Sequence, residues 1–133
     1  MAAANPKPTS APPAQMQLLQ ADEKADAERA KSVDKVLGKA APDLVKDTTD
    51  VLLRDLWLQP DLAPRDRSLV TIGALIATGQ FGQLPGHFVR GLNNGLTPTE
   101  VSEAISHLAY GGWPNAFSAA AIARTVFEQR KSQ

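Results

Sequence analysis

Asn93-Asn94-Gly95-Leu96-Thr97-Pro98-Thr99-Glu100 is the stretch that decides the fold. Asn and Gly tolerate the left-handed backbone needed just past a helix C-terminus, so Asn93-Asn94-Gly95 ends one helix. Thr97 then fits an N-cap, Pro98 the first helical position and Glu100 the third. That pattern is a capping box, and it starts another helix. The two signals predict an αα-hairpin whose tight turn is Gly95-Leu96.

Working outward, residues 83–94 read as a short helix carrying His87, Phe88, Arg90 and Leu92, with Pro85 in its first turn. Helix 98–110 places Val101, Ala104, Ile105 and Leu108 on one face. Gly111-Gly112 breaks it. Pro114 starts a last helix that runs to about Gln129. Its small residues at 118–123 would let another helix approach closely. Upstream, Pro64 opens a helix whose segment 69–77, LVTIGALIA, is apolar nearly all round. Such a helix belongs in the middle of a bundle or an oligomer. Its β-branched residues would also suit a strand, but flanking charges, length and Gly73, Ala74 and Ala77 favour helix. Gly79 and Gly82 bound a turn.

Pro60 and Pro64 make residues 57–64 a loop. Leu44, Val45, Thr48, Val51, Leu52 and Leu56 recur at helical spacing, predicting a helix over 42–56. A charged helix is expected over 18–38, ending at Gly38. Residues 1–17, rich in Ala and Pro, bury too little apolar surface to offset their ordering entropy and read as a disordered tail. The class is all-α, about six helices in one domain over 18–133, with no repeat and no strand pattern.

Composition narrows the chemistry. The 133 residues carry 14 basic and 14 acidic side chains, and no basic patch points to nucleic acid or an anionic membrane as partner. No apolar run approaches the length of a membrane span. The N-terminus lacks the apolar core of a signal peptide, which suits a cytoplasmic protein. A periplasmic location follows instead if the tail is the remnant of a removed signal peptide. Cysteine is absent, which excludes disulfides, thiolate nucleophiles and CxxC redox chemistry. With two histidines, a histidine-rich metal site within one chain is not expected.

The candidate chemistry is therefore histidine-centred. Glu103 and His107 are four apart and project from one helix face, where a carboxylate can fix an imidazole's tautomer and raise its basicity. Tyr110, three residues on, can join them as a proton donor. The plain alternative is an exposed ion pair, common on helix surfaces. His87 and Arg90 are three apart on the preceding helix, where Arg90 could fork onto a substrate carboxylate while His87 moves a proton. The alternative is a partly buried histidine beside a solvated arginine. The hairpin makes the two helices antiparallel neighbours, so both histidines are expected to face one cleft. Trp113 either lines a pocket wall or anchors the core. Arg65 and Arg67 are expected to pack over Trp57 or to pair with Asp55, Asp61 or Asp66. Glu100 is spent on its cap.

Several of these features coincide in order: Asp55-Leu56-Trp57, Pro60, RDRSLVTIGALIATG, His87 with Arg90, NNGLT, Glu103 and GWPNA. Together they resemble the carboxymuconolactone decarboxylase family over about residues 42–127. The resemblance implies an alkylhydroperoxidase D-like helical bundle that assembles as homotrimers or homohexamers, with sites in clefts near subunit boundaries. One branch of that family uses a CxxC dithiol. Here residues 112–116 are Gly-Trp-Pro-Asn-Ala, so a thiol peroxidase is excluded. The other branch implies a decarboxylase needing neither metal nor organic cofactor. On that reading the chain is a lyase or isomerase acting on a small carboxylated lactone or related ring acid. His87, His107, Glu103 and Tyr110 would be its catalytic residues, and Arg90 and Trp113 would bind substrate. A non-catalytic assembly protein and a thiol-free oxidoreductase-like relative are the competing functions.

Overall fold

The computed structural model describes the backbone from residue 13 to residue 133 and the side chains from residue 24 onward. The first twelve residues of the tail expected over 1–17 lie outside it. Six α-helices and no strand occur among the described residues: α1 (Pro13–Leu37), α2 (Pro42–Asp47), α3 (Pro64–Ala77), α4 (Leu84–Asn93), α5 (Pro98–His107) and α6 (Trp113–Lys131). The all-α class is as the sequence predicts. The described chain forms two compact units, one up to Pro64 and one from Arg65.

In the first unit α1 packs on α2 and on the turns that follow it. The helix expected over 42–56 is not regular. After Asp47 it widens into a π-helical turn, Thr48–Leu53, and then a 3-10 turn, Leu56–Leu58. Thr48 and Thr49 are β-branched and crowd the preceding turn. The Thr48 hydroxyl also donates to the Leu44 carbonyl at 2.6 Å. Val45, Leu53 and Trp57 are buried among the described residues of this unit.

The second unit is built on the hairpin. Gly95 adopts φ +108°, the left-handed side of the map. The Leu96 N–H donates to the Gly91 carbonyl at 2.9 Å and the Gly95 N–H to the Leu92 carbonyl at 3.2 Å. These paired bonds are the Schellman closure that the sequence implies. Thr97 accepts from the Glu100 N–H at 3.1 Å, and its own N–H donates to the Glu100 carboxylate at 3.1 Å. Both halves of the capping box are present.

Helix α6 packs against both α4 and α5, and it, rather than α5, is the close helical neighbour of α4. Its Ala116, Ala119, Ala123 and Val126 form the buried stripe. Helix α3 buries Ser68, Ile72 and Ile76, one residue per turn, and leaves Val70 and Ala74 exposed. Gly91 brings the α4 backbone close to α3 and to the hairpin turn. A Cβ there would lie 3.0 Å from Leu96 Cδ1 and 3.2 Å from Ile72 Cδ1. The contact is extended by a buried pair, Asn94 Nδ2 donating to Ser68 Oγ at 3.1 Å. Gly112, at φ +118°, separates a 3-10 turn over Leu108–Gly111 from α6, so α5 itself ends at His107.

Candidate active site

The capping box fixes where α5 starts and therefore which residues share a face. From Glu100, steps of three and four residues reach Glu103, Ala104, His107 and Leu108. Those five side chains, with Thr99, line a groove of about 470 Å³ whose other wall is Leu69 and Gly73 of α3. Leu69, Gly73, Ala104 and Leu108 make the lining largely apolar. Thr99, Glu100, Glu103 and His107 supply its polar groups. An apolar groove with a few convergent polar groups is the usual form of a small-molecule site.

Glu100 also reaches across to α3. Its carboxylate forms an ion pair and hydrogen bond with the Arg65 guanidinium. Asp66, which the sequence offers as a partner, is 3.7 Å from Arg65 Nε and is the secondary contact. No local signal marks the Arg65–Glu100 pair, because its members are 35 residues apart in sequence. The Glu100 carboxyl is held below its ordinary value. The Thr97 backbone N–H is the largest cause, followed by the Thr97 hydroxyl; partial desolvation opposes them, and Arg65 adds a smaller stabilisation of the charge. Glu100 therefore stays ionised and committed, which leaves Glu103 as the other carboxylate of the groove.

His107 and Glu103 are both exposed at this groove. The Tyr110 ring lies against the imidazole, with centroids 5.2 Å apart and planes tilted by 48°. Tyr110 is itself 91% exposed, so it flanks the histidine from outside. The structure thus brings together Glu103, His107 and Tyr110. His87 and Arg90 lie on α4 and are not among the groove's lining residues. Arg90 is only 3% exposed, in contrast to the solvated guanidinium of the simpler reading. The two histidines do not share this groove. Trp113 is 65% exposed at the start of α6 and does not line it either. Among the described residues, no cluster of three or more His, Asp or Glu side chains is arranged to hold a metal ion. None of the described helices is long and apolar enough to cross a membrane.

An exposed imidazole one helical turn from a carboxylate, on an apolar wall, can exchange protons with a bound molecule and with water in turn. Comparison with known proteins gives this geometry a context. Residues 42–125 match the profile of the carboxymuconolactone decarboxylase family. A 4-carboxymuconolactone decarboxylase of Acinetobacter baylyi is 39% identical over 75 residues, covering 56% of this chain and 56% of that protein. A nitrosuccinic acid decarboxylase of Metarhizium robertsii is 37% identical over 65 residues, covering 48% of this chain and 46% of that protein. The chain spans about half the length of these curated relatives.

The lowered Glu100 carboxyl gives a stability test. Its folded value lies below its ordinary value of 4.5, so the stability it contributes is full above that pH. The contribution is lost as pH falls through the folded value. Glu100→Gln should lower stability at neutral pH and flatten the acid limb of a stability–pH profile measured by urea unfolding. A variant whose acid limb matches the parent's would contradict this role.

Proposed function

Because the chain belongs to the carboxymuconolactone decarboxylase family, we propose that it is a decarboxylating lyase. Its substrate is a small carboxylated lactone or related ring acid, bound in the groove between α3 and α5. The observation that carries the reading is the placement of Glu103 and His107 together on the wall of an apolar groove. Both relatives described above bear names of decarboxylases of small carboxylic acids, which supports the reaction class.

In this reading the bond between ring carbon and carboxylate breaks, and its electron pair moves into the conjugated lactone carbonyl as CO2 leaves. The resulting dienolate-like anion needs a nearby positive or hydrogen-bonding group. His107, as imidazolium, supplies it and then delivers its proton to carbon. Glu103, one turn away on the same helix face, lines the groove beside it. Tyr110 holds the ring's orientation by its tilted contact. Being exposed, His107 recovers its proton from water after product leaves.

Self-association into a homotrimer or homohexamer accompanies this function. Its support is the set of solvent-facing aromatics close in sequence where the chain passes from the 3-10 turn into α6: Tyr110, Trp113 and Phe117. Exposed apolar clusters of this kind mark association surfaces. Sedimentation equilibrium should find a multiple of the chain mass, and a monomer at every concentration would contradict it.

Activity is tested by CO2 release from 4-carboxymuconolactone and a panel of carboxylated lactones. His107→Ala and Glu103→Gln should each lose activity, the histidine change by about 10²–10⁴-fold, the usual size of a general acid's contribution. His87→Ala should lose less than His107→Ala. Full activity in His107→Ala alongside a large loss in His87→Ala would move the site to α4.

A further inference from the structure

Gly73 is the tenth of the fourteen residues of α3, deep in a helix interior. Glycine there costs stability relative to alanine, because it loses more backbone freedom on folding. Two ordinary reasons can keep it in place. One is a left-handed backbone, which here belongs to Gly79, Gly95 and Gly112 and not to Gly73. The other is a close approach of neighbouring atoms. A Cβ on Gly73 would meet Leu108 Cδ2 at 3.7 Å and Cδ1 at 4.0 Å, both ordinary contacts. Gly91 shows the difference, since a Cβ there would press on two side chains at 3.2 Å or less. Neither backbone nor packing in this unit asks for glycine at 73. What the missing side chain does leave is space, and that space opens into the groove that Gly73 helps to line.

We propose that Gly73 is a specificity-determining residue: the notch it leaves in the α3 wall admits the width of a ring acid, which a methyl group there would exclude. The inference rests on the groove being the substrate site and adds which residue sizes it. A five-membered lactone is wider than an open chain of similar length and charge. A methyl on the wall therefore costs the ring more than the chain. Ala104, on the α5 side of the same groove, is the complementary position. Removing its methyl returns space to a groove narrowed at 73.

Calorimetric titration of the full chain with β-carboxy-γ-butyrolactone and with hexanoate tests this. Gly73→Ala should weaken the ring acid about 10- to 200-fold, the range one misplaced carbon produces in an apolar pocket. Hexanoate should change clearly less, and the free variant should melt no lower than the parent. The double change Gly73→Ala with Ala104→Gly should recover ring-acid binding while melting lower than Gly73→Ala alone. Equal weakening of both ligands, or none, would overturn the proposal. If His107→Ala abolishes turnover while Gly73→Ala leaves ring-acid binding intact, the groove's function stands and the role of Gly73 falls. If the parent binds no ring acid, both fall together.

Discussion

The carboxylate of Glu100 meets two demands at once. It accepts the Thr97 N–H and so closes the first turn of α5, and it holds the Arg65 guanidinium at the start of α3. Two helices far apart in sequence are thereby tied at their N-terminal ends. A free helix N-terminus leaves backbone donors unsatisfied, and the capping box satisfies two of them. Here the greater consequence is geometric. Fixing the phase of α5 places Glu103 and His107 at the groove that faces α3, where both stay open to water. Fixing α3 decides that the wall they face is Leu69 and Gly73. The groove lies between two helices joined near their N-terminal ends at one carboxylate.

On the proposed reading, that arrangement lets a chain without a thiol carry proton-transfer chemistry. Proton transfer needs a group that can give and regain a proton, and an exposed imidazole does both. An apolar floor strengthens its electrostatic effect on a bound anion, because low polarity screens charge less than water does. The local charge is also balanced by design. Glu100 is matched by Arg65, and Glu103 stands one turn from His107. Arg90, the strongest cation of α4, is nearly sealed from solvent.

Much of the fold could be read from short-range chemistry. Asn93-Asn94-Gly95 and Thr97-Pro98-Thr99-Glu100 specify their bonds within a few residues, and the Schellman closure and the capping box both form there. The grouping of Glu103 and His107 on one face followed from helical period alone. What could not be read depends on distant partners. The Arg65–Glu100 pair joins residues with no sequence pattern between them. The burial of Arg90 depends on tertiary packing around α4, whose close helical neighbour is α6 rather than α5. His87 is not among the residues of the groove that His107 lines. The π-helical turn after Asp47 escaped notice because its apolar spacing still fits a regular helix. Gly73 read as one of the small residues that favour helix over strand, and only the distances around it show that its neighbours do not require glycine.

The chain has two histidines, so their imidazole signals can be separated by one substitution. Long-range nitrogen–proton NMR of both rings during titration with a carboxylated lactone tests the central assignment most directly. Binding in the α3–α5 groove predicts that the His107 signals move and saturate with the ligand while those of His87 stay nearly still. Saturating shifts at His87 with His107 unmoved would place the ligand on α4 and contradict it.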